Sequence, residues 1–208
     1  IRVITENLYD TVLLNPLRSG AERSNELYVV SGYASATFLQ RHLLEALDLN
    51  PEFKLHLIIG MRQKRRDHTA YTQLISQHPH SFFGYYYDGD PDVHAKSYCW
   101  SRGGILTQGF SGSANCSQYG FFAERQLNQM TSDDSTEIKG LFDRLLCNSV
   151  SISEYVPAQE ELALPLSASD SVGPGEIYWV QNDRSVRISL LSRDGSLADS
   201  SGLNWGLR

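Results

Sequence analysis

The sequence predicts an α/β fold, a mixed β-sheet flanked by helices, and three observations carry that prediction. Strand-like apolar runs alternate with segments of helical period from residue 26 to residue 150, the order expected of a layered sheet. Gly103-Gly104 sits between two extended runs and signals a tight hairpin inside that sheet. A chain of 208 residues is long enough for a substantial core, as one large domain or one domain plus an appendage.

Taken in order, residues 7–17 mix apolar and polar side chains at helical period. They are expected to form an opening helix stopped by Pro16 and the Gly20 region. Residues 26–32 (Glu-Leu-Tyr-Val-Val-Ser-Gly) read as a buried strand. Residues 36–49 follow as a helix, because Phe38, Leu39, Leu43, Leu44 and Leu47 recur at helical spacing, and Pro51 ends it. A strand at 54–60, a helix at 68–78 and a strand at 81–87 continue the alternation. Residues 94–100 and the run after Gly103-Gly104 form the hairpin, and 123–131 reads as a third extended segment. Residues 133–150 look like a capped amphipathic helix with Ile138, Leu141, Phe142, Leu145 and Leu146 on one stripe. Beyond it, 151–175 holds Pro157, Pro165, Pro174 and a serine-rich run, the composition of an irregular connector. The domain boundary is placed there, dividing 1–156 from a tail at 157–208. Within the tail, 176–180 and 186–191 are strand-like and form a hairpin or pair with the core.

Composition narrows the function. No apolar run approaches the roughly 18 residues of a membrane span, and nothing resembles a signal peptide, so a cytoplasmic protein without membrane contact is expected. The first residue is Ile1, which suggests a fragment. Cys99, Cys116 and Cys147 are an odd number without metal-binding spacing, implying neither a disulfide framework nor a zinc site. The net charge of -6 is unevenly spread: residues 1–130 hold 12 Lys/Arg against 12 Asp/Glu, and residues 131–208 hold 6 against 12. A neutral body of this kind can carry a basic site yet binds DNA weakly by itself.

The chemistry concentrates between His94 and Glu124. Residues two apart on a strand share a face, so His94 and Lys96 are expected to project together. The returning strand is expected to bring Ser111, Ser113 and Asn115 alongside them. An imidazole, an ammonium, hydroxyls and an amide suit a phosphate diester: histidine attacks phosphorus or protonates a leaving oxygen, and lysine and asparagine stabilise the non-bridging oxygens. Glu124 is placed to accept the second imidazole N–H and fix the tautomer.

H-A-K at 94–96, G-S-A-N at 112–115 and Glu124 together resemble the H-x-K…G-S-x-N…E/D signature of the phospholipase D superfamily. That pattern has an aspartate five residues after the lysine, where this chain has Ser101. The omission and the single copy of the motif resemble the NgoFVII/BfiI-type restriction-endonuclease branch. The resemblance implies a phospholipase D-like layered sandwich over 1–156, a metal-independent endodeoxyribonuclease without cofactors, and double-stranded DNA as substrate. It also implies a homodimer in which two copies of His94, Lys96, Ser113, Asn115 and Glu124 share one site through a covalent phosphohistidine. The end of the chain, residues 202–208, resembles the start of a DNA-recognition domain that follows in such enzymes. An accessory ATPase or helicase subunit is left open, as are the recognition sequence and the cut positions.

Competing readings attach to particular residues. Arg62, Lys64, Arg65 and Arg66 form the densest positive cluster, read equally as a solvated loop or as phosphate contacts near the site. The turn at 32–35 reads either as a place where ligand approaches or as a lead into the helix at Thr37. Asp88, Asp90 and Asp92 before His94 allow a divalent-metal nuclease, although Asp-Gly-Asp-Pro is ordinary turn chemistry and is preferred as such. His42, His56, His68, His78 and His80 have no partners at catalytic spacing and read as structural or solvent-facing. A repair or non-specific nuclease of the same fold, a phospholipase or phosphatidyltransferase, and an inactive nucleic-acid-binding module are the alternative functions.

Overall fold

The structure, a computed structural model, describes residues 3–18, 23–61, 67–122 and 127–156, with the backbone of two further strands at 177–182 and 185–190. The chain divides into two compact units, Ile1–Pro157 and Ala158–Arg208.

The first unit is built on an eight-stranded mixed sheet in the order β1-β7-β6-β5-β2-β3-β4-β8. Its strands are β1 (Val3–Ile4), β2 (Glu26–Ser31), β3 (Lys54–Ile59), β4 (Phe82–Tyr87), β5 (Lys96–Arg102), β6 (Ile105–Gly112), β7 (Met130–Asp133) and β8 (Ser149–Ser151). β2, β3 and β4 are parallel, joined by α2 (Ala36–Leu49) and α3 (His68–Gln77), and β5 runs antiparallel beside β2. Gly103 and Gly104 adopt φ of 54° and 81°, the left-handed pair that a two-residue hairpin between Arg102 and Ile105 demands.

Both faces of the sheet are covered, which is why its central strands are apolar throughout. One face packs Leu27, Val29, Leu57, Tyr98 and Trp100 against Val12, Leu13, Phe38, Leu39 and Leu43, and Trp100 Nε1 donates to Val12 O at 2.7 Å. On the other face Val30, Ile58 and Tyr87 meet Phe142, Leu145 and Leu146 of α5 (Ser135–Leu146). Asp134 caps α5, its carboxylate accepting from Thr136 N at 2.7 Å.

Several boundaries differ from the sequence reading, each for a local reason. Pro16 does not stop the opening helix: a π-helical turn (Asp10–Leu14) leads into α1 (Asn15–Arg18), where Pro16 occupies the first turn and its missing N–H costs least. The strand expected from residue 94 begins at Lys96, because residues 93–95 cross other backbone instead. Of the extended segment expected at 123–131, residues 123–126 lie outside the described residues, and the strand that follows them is β7 at Met130–Asp133; the short α4 (Gln118–Phe122) comes earlier in the chain. The last helix ends at Leu146, and residues 149–151, assigned to helix and connector, form β8 against β4 with Ile152 fully buried. The second unit contains an antiparallel hairpin, β9 (Ile177–Asn182) and β10 (Ser185–Leu190), so the tail strands pair with each other.

The topology sets up the site. The carboxyl ends of β2, β3 and β6 and the amino ends of β5 and β7 all lie along one edge of the sheet.

Candidate active site

At that edge, residues 93–95 are clamped between two strand exits. Gly32 N donates to Ala95 O at 3.0 Å, and Val93 N donates to Gly60 O at 3.0 Å, so main-chain bonds hold His94 from either side. The crossing explains both glycines. A Cβ on Gly60 would overlap the Val93 carbonyl, and one on Gly32 would lie 2.9 Å from His94 Cδ2 and 3.3 Å from its Cα. The backbone is fixed while the imidazole stays exposed.

Lys96 opens β5 opposite Ser31 of β2. It is only 9% exposed, and its Nζ donates to His94 O at 2.7 Å. Burial pulls its pKa below the ordinary lysine value.

Asn115 is held from β2. Tyr33 N donates to its Oδ1 at 3.2 Å, which turns its Nδ2 away from those partners. Ser31, fully buried, joins the two segments: its Oγ accepts from Cys116 N at 3.0 Å and donates to Tyr33 O at 2.5 Å. Residues 31–33 therefore contact both halves of the motif, the His94 segment through Gly32 and the Asn115 loop through Ser31 and Tyr33. Ser113 is tied to the strand behind it: its Oγ accepts from Gln129 N at 2.9 Å and donates to Asn128 Oδ1 at 3.2 Å. Asn128 in turn donates to the carbonyls of Tyr119 and Gly120 at 3.0 and 2.9 Å.

Ser111 is not brought to this group. The β5–β6 register sets it opposite Ser97, and residues adjacent on a strand face opposite ways, so Ser111 lies on the α5 face and Lys96 on the other. Its hydroxyl donates to Asp133 at 2.6 Å. Glu124 and the cluster Arg62, Lys64, Arg65 and Arg66 lie outside the described residues. Ser101, at the position of the family aspartate, is buried and donates to Glu26 Oε2 at 3.0 Å, so a neighbouring strand supplies a carboxylate there. Asp88, Asp90 and Asp92 are exposed around a cis Asp90–Pro91 bond. Among the described residues, no group of three His, Cys, Asp or Glu side chains is placed to hold a metal ion. Among them, too, no helix is long and apolar enough to cross a membrane.

Ser31 and Asn128 were missed in the sequence, and Tyr33 was read only as part of the 32–35 turn, without its bond to Asn115. Ser31 ends an apolar strand and Asn128 follows no motif, so only the register and the loop path mark them.

A layered sheet with His94, Lys96 and Asn115 gathered along one edge is the architecture of the phospholipase D superfamily. The chain belongs to the family of the NgoFVII restriction endonuclease N-terminal PLD domain, whose model matches residues 6–156. The fold is shared with the phospholipase D family member Nuc from Salmonella typhimurium, at a TM-score of 0.50 and 12% identity, over 72% of this chain and 97% of that one. NucT from Helicobacter pylori aligns over 72% of this chain and 97% of its own, at 17% identity and a TM-score of 0.43. Polyphosphate kinase from Porphyromonas gingivalis aligns at 12% identity and a TM-score of 0.48, over 73% of this chain but only 24% of the kinase. No curated protein matches the sequence.

Proposed function

We propose that the chain is the catalytic domain of a restriction-type DNA endonuclease that works without a metal ion, through a phosphohistidine, in a site completed by a second copy. The observation that carries this reading is the clamp on His94. Main-chain bonds from two strands fix its backbone, its ring stays exposed, and Lys96 and Asn115 are anchored along the same edge.

An imidazole nitrogen of His94 attacks phosphorus, forming a P–N bond as the P–O bond to the leaving nucleoside breaks. His94 of the second copy, as imidazolium, gives the departing oxygen its proton. Water then attacks phosphorus and yields a proton to that neutral imidazole, the P–N bond breaks, and a phosphate monoester leaves. Lys96 and Asn115 Nδ2 stabilise charge on the non-bridging oxygens. Ser113 positions the loop through Asn128 and Gln129. Glu124 is the carboxylate proposed to orient the imidazole, and Arg62, Lys64, Arg65 and Arg66 are proposed to contact DNA phosphates.

Incubating the protein with plasmid DNA in excess EDTA and sequencing the ends tests the proposal. Cleavage is expected to persist and to vanish in His94→Ala. Loss in EDTA with recovery in magnesium or manganese, or near-normal cutting by His94→Ala, overturns it.

A further inference from the structure

We infer that Ser31 is a positioning residue that determines which end of the Asn115 amide meets the substrate phosphate. The inference rests on the phosphodiesterase reading for its chemistry and on geometry alone for its structural half. Ser31 belongs to neither H-A-K nor G-S-A-N, and it reaches the second motif from 84 residues away. Its side chain is fully buried, so it touches no substrate.

A hydroxyl offers one proton and two lone pairs. Here the proton goes to Tyr33 O at 2.5 Å and a lone pair receives Cys116 N–H at 3.0 Å, while Asn115 Oδ1 lies 3.3 Å away. One side chain thus pins the chain leaving β2 to the chain leaving Asn115. The pin aims Tyr33 N–H at Asn115 Oδ1, at 3.2 Å.

That N–H gives the amide its direction. The two ends of an asparagine amide are nearly alike in shape and differ in hydrogen bonding. With Oδ1 held by Tyr33 N–H, turning the amide over would set an NH2 group against an N–H donor. Nδ2 is therefore the end left for a phosphate oxygen, and negative charge developing there needs a donor. Without the Ser31 hydroxyl, the two segments lose their link and the amide loses the constraint that keeps the donor outward.

The test uses the 208-residue protein. Turnover of a DNA duplex is measured for Ser31→Ala, for Asn115→Ala and for the double variant, with the Asn115 side-chain amide pair followed by NMR. Ser31 acts through another group, so Ser31→Ala is expected to lower kcat about tenfold, less than loss of a direct oxyanion donor, with KM within about threefold. In the Asn115→Ala background it should cost less than about twofold, because the group it positions is gone. The Asn115 amide resonances should shift or broaden, and Ser31→Thr should recover much of the rate. If Ser31→Ala does not fold, Ser31→Cys keeps the shape, weakens the hydrogen bonds and serves the same comparisons. Equal losses with and without Asn115, or an unchanged kcat, overturn the inference. A wild-type protein inert toward phosphodiesters defeats the nuclease reading instead, and an Asn115 amide pair unaltered by Ser31→Ala would then still overturn the positioning role.

Discussion

Lys96 supports His94, the proposed nucleophile, through the main chain: its Nζ donates to His94 O at 2.7 Å, on the backbone that carries the exposed imidazole. One of three N–H donors is spent there, which leaves others for a phosphate oxygen. Burial already lowers the pKa of this ammonium, so an added negative charge would relieve part of its desolvation. Lys96→Met should lower kcat by about 10²–10³-fold, the cost of losing a preorganised donor at a developing charge. Its thermal stability should hold, because a partly desolvated charge is removed with its stem volume kept. Lys96→Arg should rescue little, since a planar guanidinium does not reproduce a compact ammonium. Single-turnover cleavage of a duplex by each variant checks this, and more than a tenth of wild-type activity in Lys96→Met would refute it.

Two glycines at neighbouring strand exits should fail in different ways. At Gly32 the nearest obstacle to a new Cβ is the His94 ring carbon, 2.9 Å away, and a ring can swing aside. Gly32→Ala is therefore expected to fold near-normally while losing activity by about tenfold or more, because the ring proposed as nucleophile is displaced. At Gly60 the obstacle is the Val93 carbonyl, which is backbone. Gly60→Ala should lower stability by about 1–3 kcal/mol, as overpacking does. Paired denaturation and cleavage measurements decide, and equal stability losses at both sites would contradict the argument.

Acid sensitivity should come from histidines remote from the site. His42 is buried with Nε2 lacking any hydrogen-bond partner, and burial pushes its pKa from 6.5 down to about 4. His56, stacked between Tyr28 and Phe83, is pushed down to about 4 in the same way. Both stay neutral in the folded chain while the unfolded chain takes up protons below its ordinary histidine pKa. The unfolded state binds more protons in that window, so stability falls as pH drops from about 6.5 to about 4 and levels off below. His42 alone accounts for roughly 3 kcal/mol of that loss. Thermal midpoints across the range should show the slope, and His42→Leu should flatten it. A slope unchanged by His42→Leu would place the acid sensitivity elsewhere.

The alternation of period-two and period-3.6 apolar residues was enough to reveal β2, α2, β3, α3, β4 and the Gly103-Gly104 hairpin, because each buries a continuous face. H-A-K and G-S-A-N were legible as chemistry for a simpler reason: polar residues of matched function recur at short spacing. The placement of Ser111 was not, since strand alternation gives a side chain's face only relative to its own strand, and the β5–β6 register is a tertiary fact. The clamp on His94 was invisible too. It is formed by backbone atoms of Gly32, Gly60, Val93 and Ala95, and main-chain bonding across an edge leaves little more than glycines in the sequence.

Charge distribution sets the last expectation. Residues 1–130, which carry the site, hold 12 Lys/Arg against 12 Asp/Glu, and the chain as a whole carries -6. Phosphate neutralisation supplies most non-specific affinity for DNA, and each contact releases counterions, so affinity tracks the number of phosphates met and falls with salt. Reading bases in the major groove needs arginine, asparagine or glutamine side chains presented to base edges within a positive surface. The only dense basic stretch is Arg62, Lys64, Arg65 and Arg66, enough for a few phosphate contacts. These 208 residues should therefore bind random duplexes weakly, with a slope of log affinity against log salt of about -2 to -4. Substituting all four basic residues with alanine should flatten the slope and leave sequence preference unchanged. Titrating fluorescent duplexes of random and defined sequence over a salt series measures both, and tight, sequence-selective binding by these residues alone would move recognition onto the 62–66 cluster.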